Sequence, residues 1–154
     1  MNRKGFLLGE YTLKVVIAVL SILILVFLLT TIYNTFTSKN NILQAKSTIE
    51  MVQGLISEAN LKGQSYGLLT EPQGWVLKYY SLGNVANCEG KKCICVCQNE
   101  GYFSSVDSNC NNPNYGYCEK SDSNIINLNI IEIKTKGINV KKEGESISIT
   151  LSGN

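Results

Sequence analysis

Residues 15–38 carry no charged side chain, and nearly every position from 15 to 32 is aliphatic. A helix that crosses a bilayer core needs about 20 such residues, whereas the apolar region of a cleavable secretory signal needs only about 7–15. The run is at spanning length. Arg3 and Lys4 precede it and Lys14 stands at its mouth. Cations at that end place the N-terminus in the cytoplasm and the remainder of the chain outside. An ordinary secreted protein cut near Thr37 fits less well, because the apolar region is too long and no A-x-A site follows it.

Glu10 does not suit a plain anchor, since a carboxylate entering lipid costs about 3 kcal/mol or more. One explanation is interfacial: in a first helical turn the macrodipole favours an acid, and Lys14 lies four residues on. The surrounding segment, Lys4-Gly5-Phe6-Leu7-Leu8-Gly9-Glu10, supplies another. It resembles the processing site of type IV prepilins, in which a short basic leader ends in Gly. The mature chain then starts with a hydrophobic residue, often Phe, and carries Glu at its fifth position before a long apolar helix. The likeness covers about the first 35 residues and rests on Arg3, Lys4, Gly5, Phe6 and Glu10. Gly9 stands where bacterial sequences usually have Ile or Val, and the proline many of them carry later in the helix is absent. Both departures lean toward an archaeal pilin, or a divergent minor pilin or pseudopilin. The resemblance implies cleavage between Gly5 and Phe6 by a membrane prepilin peptidase. It further implies that Glu10 neutralises the new Phe6 amine, within its own chain or a neighbour's, inside an apolar bundle.

With the apolar run set aside, 154 residues leave one small outer domain. Arg3, Lys4 and Lys14 less Glu10 give +2, and from Lys39 onward eleven Lys balance eleven Asp and Glu. No basic patch emerges, which argues against nucleic acid. The absence of His removes the commonest general base and metal ligand. Around Asp107 and Asp122 no calcium-loop spacing or paired catalytic carboxylates can be read. No enzyme and no cofactor are expected.

Six cysteines crowd the outer domain at Cys88, Cys93, Cys95, Cys97, Cys110 and Cys118. An even number beyond a membrane anchor reads as disulfides in an oxidising compartment. CxxC knuckles, which a zinc or thioredoxin-like site would need, are absent. Cys93, Cys95 and Cys97 alternate on a strand and share one face. Of about fifteen connectivities, the favoured ones join each of the three to one of Cys88, Cys110 and Cys118, with Cys88 and Cys93 the likeliest local pair. Tyr66, Tyr79, Tyr80, Tyr102, Tyr115 and Tyr117 read as packing at sheet edges rather than a binding patch.

Four segments follow: a leader over residues 1–5, an apolar assembly helix over 6–36, its amphipathic continuation over 37–62, and an extracellular disulfide-rich β domain over 63–154. In the third, Ile42, Ala45, Ile49, Val52, Ile56 and Ala59 step by three and four along one stripe. Leu43 and Leu61 fall on another face, Gly54 weakens the helix, and Gly63 is suited to end it. Strands are predicted at Trp75–Tyr80, 92–98, 125–135 (with a bulge), 137–141 and Ser146–Leu151, and turns at 67–74 and 142–145. The fold class is α+β: a long N-terminal helix packed on a small antiparallel sheet. The expected function is a structural subunit, major or minor, of a type IV pilus-like surface filament, partnered by the membrane, a prepilin peptidase and other pilin copies. The alternative is a monomeric signal-anchored extracellular protein whose disulfide-bonded domain binds a surface or partner.

Overall fold

The computed structural model describes residues 4–82, 85, 88–99, 105–128 and 130–152, with side chains from Thr12 onward. The chain divides into two compact units, Met1–Thr37 and Ser38–Asn154. Helix α1 runs over Lys4–Lys62. It stops at Gly63, whose N–H still reaches the Ala59 carbonyl at 2.8 Å while its φ of +88° turns left-handed. Glycine takes that conformation without the Cβ penalty, so the helix ends at the residue suited to end it.

Within Ser38–Asn154 the helical stripe Ala45, Ile49, Val52, Ile56 and Ala59 is buried, while Leu43 and Leu61 face outward. Eight strands follow among the described residues: β1 (Gln64–Leu69), β2 (Trp75–Tyr80), β3 (Cys93–Gln98), β4 (Gly116–Lys120), β5 (Asn124–Ile126), β6 (Ile130–Glu132), β7 (Lys136–Glu143) and β8 (Ser146–Leu151). A short helix, α2 (Val106–Cys110), lies between β3 and β4. The strands form two four-stranded sheets, ordered β1-β7-β8-β5 and β4-β3-β2-β6. Every pairing is antiparallel except β5 with β8. Both sheets turn one face to the helix stripe. Leu69, Leu77, Ile94, Val96, Ile133, Ile138, Val140 and Ile149 join it in one continuous core.

The fold is thus α+β as expected, with two sheets where one was predicted. The difference begins in the stretch predicted as one bulged strand over 125–135. Asn127 adopts a left-handed φ of +61°, and the chain there leaves one sheet for the other. Residues 124–126 pair with β8 and residues 130–132 with β2. A bend of this kind is how a strand switches sheets. The core side chains are consequently Ile125, Leu128, Ile131 and Ile133, whereas Ile130 is exposed. Leu151, at the end of β8, is also largely exposed rather than in line with Ile147 and Ile149.

The predicted turn at 67–74 begins inside a strand. Gln64–Leu69 forms β1 because Gly67 passes directly over Leu55, where a Cβ would strike the Leu55 Cδ1 methyl. Residues 109–114 begin inside α2 and lead into β4. Gly116 enters that strand against the end of α2, where a Cβ would lie 2.7 Å from the Asn109 carbonyl oxygen and 2.8 Å from the Cys110 Cα. The 142–145 hairpin is tighter than predicted. Only Gly144 (φ +65°) and Glu145 separate β7 from β8.

Candidate functional site

Two features concentrate the chemistry of this chain: the apolar surface of the first unit and the cystine-bearing face of the second. In the first, the large apolar side chains from Leu13 to Phe36 are exposed, Phe27 at 68% and Phe36 at 73%. A contiguous apolar surface of this extent exceeds what a soluble monomer leaves uncovered. The serine and threonine hydroxyls within and just beyond it are already satisfied. Ser21 Oγ donates to the Ile17 carbonyl at 2.8 Å. Thr30 and Thr31 both donate to that of Phe27, each at 2.9 Å. Thr35 and Thr37 donate to the carbonyls of Thr31 and Tyr33, also at 2.9 Å. Hydroxyls that bond back onto their own helix need no water, the condition a segment must meet to enter hydrocarbon. By length and composition this helix is able to cross a membrane.

The processing and assembly residues assigned from sequence lie at the margin of the description. Arg3 falls outside the described residues. Lys4, Gly5, Phe6 and Glu10 belong to α1, with side chains outside the described set.

On the second unit, β3 turns Ile94 and Val96 toward the helix and Cys93, Cys95 and Cys97 toward the opposite side. Each of the three is bonded off its own strand: Cys93 to Cys88, Cys95 to Cys118 on the neighbouring β4, and Cys97 to Cys110 at the end of α2. The sulfurs are packed so closely that those of Cys88, Cys95 and Cys118 lie within 4.8 Å of one another, as do those of Cys95, Cys97 and Cys110. All six are spent in disulfides. Val76, Val85 and Val106 complete this small second core.

A polar clamp holds α2 over that face. Ser105 caps the helix by accepting from the Ser108 N–H at 3.3 Å, and Asn109 Nδ2 donates to the Gln98 carbonyl at 3.0 Å. Asp107 Oδ1 accepts from Lys78 Nζ at 2.6 Å and from the Tyr80 hydroxyl at 2.5 Å. The Lys78 ammonium also sits 4.8 Å from the centre of the Tyr80 ring. The lysine and tyrosine hydrogen bonds hold the Asp107 carboxyl below the usual carboxylate range. Burial, reinforced by the Asp107 hydrogen bond, pushes the Tyr80 phenol far above its ordinary value. An acid–base pair works best with proton affinities near ambient pH; these two are driven away from it, and the cluster acts as a fixed tie between β2 and α2. Sequence reasoning did not find it, because its members are 29 and 27 residues apart.

The tyrosines do not gather into one patch. Tyr79 and Tyr117 pack against the main core, Tyr80 against the cystine face, and Tyr66 and Tyr115 are exposed; Tyr102 lies outside the described residues. Comparison of the chain with protein-family models, with curated proteins and with solved structures finds no match.

Proposed function

We propose that this protein is a structural subunit of a type IV pilus-like surface filament, processed by a prepilin peptidase between Gly5 and Phe6 and assembled through its apolar helix. The observation that carries the proposal is the exposed apolar surface from Leu13 to Phe36, directly after a Gly5-Phe6 junction and Glu10. Such a surface calls for lipid before assembly and for neighbouring helices after it. The cystine-bonded second unit suits the oxidising exterior, with the N-terminus left in the cytoplasm.

Glu10 has a defined task in this scheme. Cleavage frees an amine at Phe6, and an amine entering an apolar bundle without an anionic partner costs about 3–5 kcal/mol. Glu10→Gln keeps the size and hydrogen-bonding capacity of the side chain and removes its charge. Membrane insertion and cleavage should persist while incorporation into filaments falls sharply. The readouts are the N-terminal residue of envelope protein, expected to be Phe6, and the ratio of sheared fibre to membrane-pool protein. An intact Met1 with an unchanged ratio would point instead to a monomeric anchored surface protein.

A further inference from the structure

Beyond the apolar helix, Ser38–Asn154 carries a groove of about 300 Å³, lined by Ser38, Lys39, Ile42, Leu43, Pro113 and Asn114. It forms because the turn between α2 and β4 is tied to α1: Ser38 Oγ donates to the Asn114 carbonyl at 3.1 Å. Its walls are apolar, with Leu43 two-thirds exposed and Pro113 exposed beside it. Its rim carries one charge, the exposed Lys39, which has no ion-pair partner among the described residues. No carboxylate occurs in residues 38–49 or 108–118, the two segments that frame it.

The place of the groove along the chain matters as much as its chemistry. Ser38 directly follows the apolar unit, so it lies within about 8 Å of the Phe36 Cα whatever direction that unit takes, at 3.8 Å per residue. As a helix, residues 15–36 span about 33 Å, close to the ~30 Å of a bilayer core. Ser38 and Lys39 therefore fall in the headgroup layer when that segment is in lipid. Lys39 is the first cation beyond it. A lysine there reaches phosphate with its ammonium while its stem lies along apolar surface.

We propose that this groove binds the phosphate end of a membrane phospholipid, with Lys39 facing the phosphodiester and Ile42, Leu43 and Pro113 flanking the headgroup. The site fastens the Asn112–Tyr115 turn, and with it the second unit, to the membrane surface. It rests on the reading of residues 15–36 as a membrane span, and the test separates the two.

The full chain is placed in phosphatidylglycerol nanodiscs, one copy per disc, with photoreactive benzoylphenylalanine at Leu43, at Leu29 or at Leu61. After illumination, adducts are identified by intact mass. Leu29 reports insertion, since it lies mid-span. Leu61 is an exposed control two residues before Gly63, about five helical turns from Leu43. The expected result is a lipid adduct at Leu43 as well as Leu29, none at Leu61, and a yield at Leu43 that drops about fivefold with Lys39→Gln, the effect of one lysine near an anionic surface. A lipid adduct at Leu29 without one at Leu43 overturns the groove and leaves the span standing. No lipid adduct at Leu29 removes the span and this site together. A Leu43 yield unmoved by Lys39→Gln overturns the phosphate contact.

Discussion

The nested arrangement of the disulfides sets how much each contributes to stability. Cys97–Cys110, with a separation of 13 residues, lies inside the loop closed by Cys95–Cys118, with a separation of 23, while Cys88–Cys93 closes only 5 and stands apart. In the chain-entropy account a bridge stabilises by restricting the unfolded chain, as the logarithm of loop length. For the separation of 5 this gives about 2 kcal/mol. For the nested pair taken together, closing the inner loop first and then the shortened outer one gives about 3 and about 3 kcal/mol, or roughly 6 in sum. Changing Cys95, Cys97, Cys110 and Cys118 to Ala should therefore cost about three times as much as changing Cys88 and Cys93. Alanine is the appropriate replacement, because a serine hydroxyl would be buried beside Val76 and Val106 without a partner. Since small domains hold only about 5–15 kcal/mol, the larger change should bring the second unit near the edge of folding. Urea unfolding of the full chain in detergent measures both, with the single tryptophan, Trp75, buried in the main core, as reporter. A loss for the four-cysteine variant no greater than for the Cys88/Cys93 variant would refute the loop argument.

Other substitutions test the packing around this frame. Gly54→Ala places a Cβ where nothing lies within 4 Å, and should raise stability by about 1 kcal/mol through helix propensity alone, read as a shift in the same urea midpoint. Gly116→Ala drives a Cβ into the backbone of Asn109 and Cys110 and should lower it by about 1–3 kcal/mol. Because the Asp107 carboxyl is held low by Lys78 and Tyr80, its contribution is present above the unfolded value near 3.9 and is lost as pH falls through the lower folded value. The loss is that of a surface pair, under about 1 kcal/mol. Midpoints at pH 6 and pH 3 should differ less in Asp107→Asn than in the parent chain.

The elements legible in the sequence are those whose periodicity is enforced by a single neighbour. The stripe from Ala45 to Ala59 meets one core along its length, so a step of three and four suffices to read it. Trp75–Tyr80 and Ser146–Leu151 are legible at their true ends because a turn residue bounds each. The strands around Gly67 and Gly116 were not legible, since a glycine argues against a strand and only the tertiary approach of Leu55, or of Asn109 and Cys110, makes it necessary. The sheet switch at Asn127 left its trace as a slip in phase between Ile130 and Ile131, and a slip alone does not say whether a strand bulges or changes sheets. The Asp107 clamp left no trace at all, because local sequence carries no record of which distant strand a five-residue helix will cover.

The cystines take the place of a structural layer. Cys93 to Cys97 are buried on both faces of β3, a condition that usually requires secondary structure on both sides of a sheet. On one side α1 supplies it, with Ile49, Val52 and Ile56 against Ile94 and Val96. On the other, α2 is only five residues long and brings Val106 and little else apolar. The remaining cover comes from the six cysteines, each 0–7% exposed, clustered with Val76 and Val85. Sulfur is soft and apolar enough to act as core. The bridges thus stabilise twice, by restricting the unfolded chain and by filling a face that the five-residue α2 covers only in part. Reduction should accordingly do more than loosen loops. It should expose the Cys93, Cys95 and Cys97 side of β3 to water while leaving the helix side packed, so that solvent reaches Val76 before it reaches Leu77.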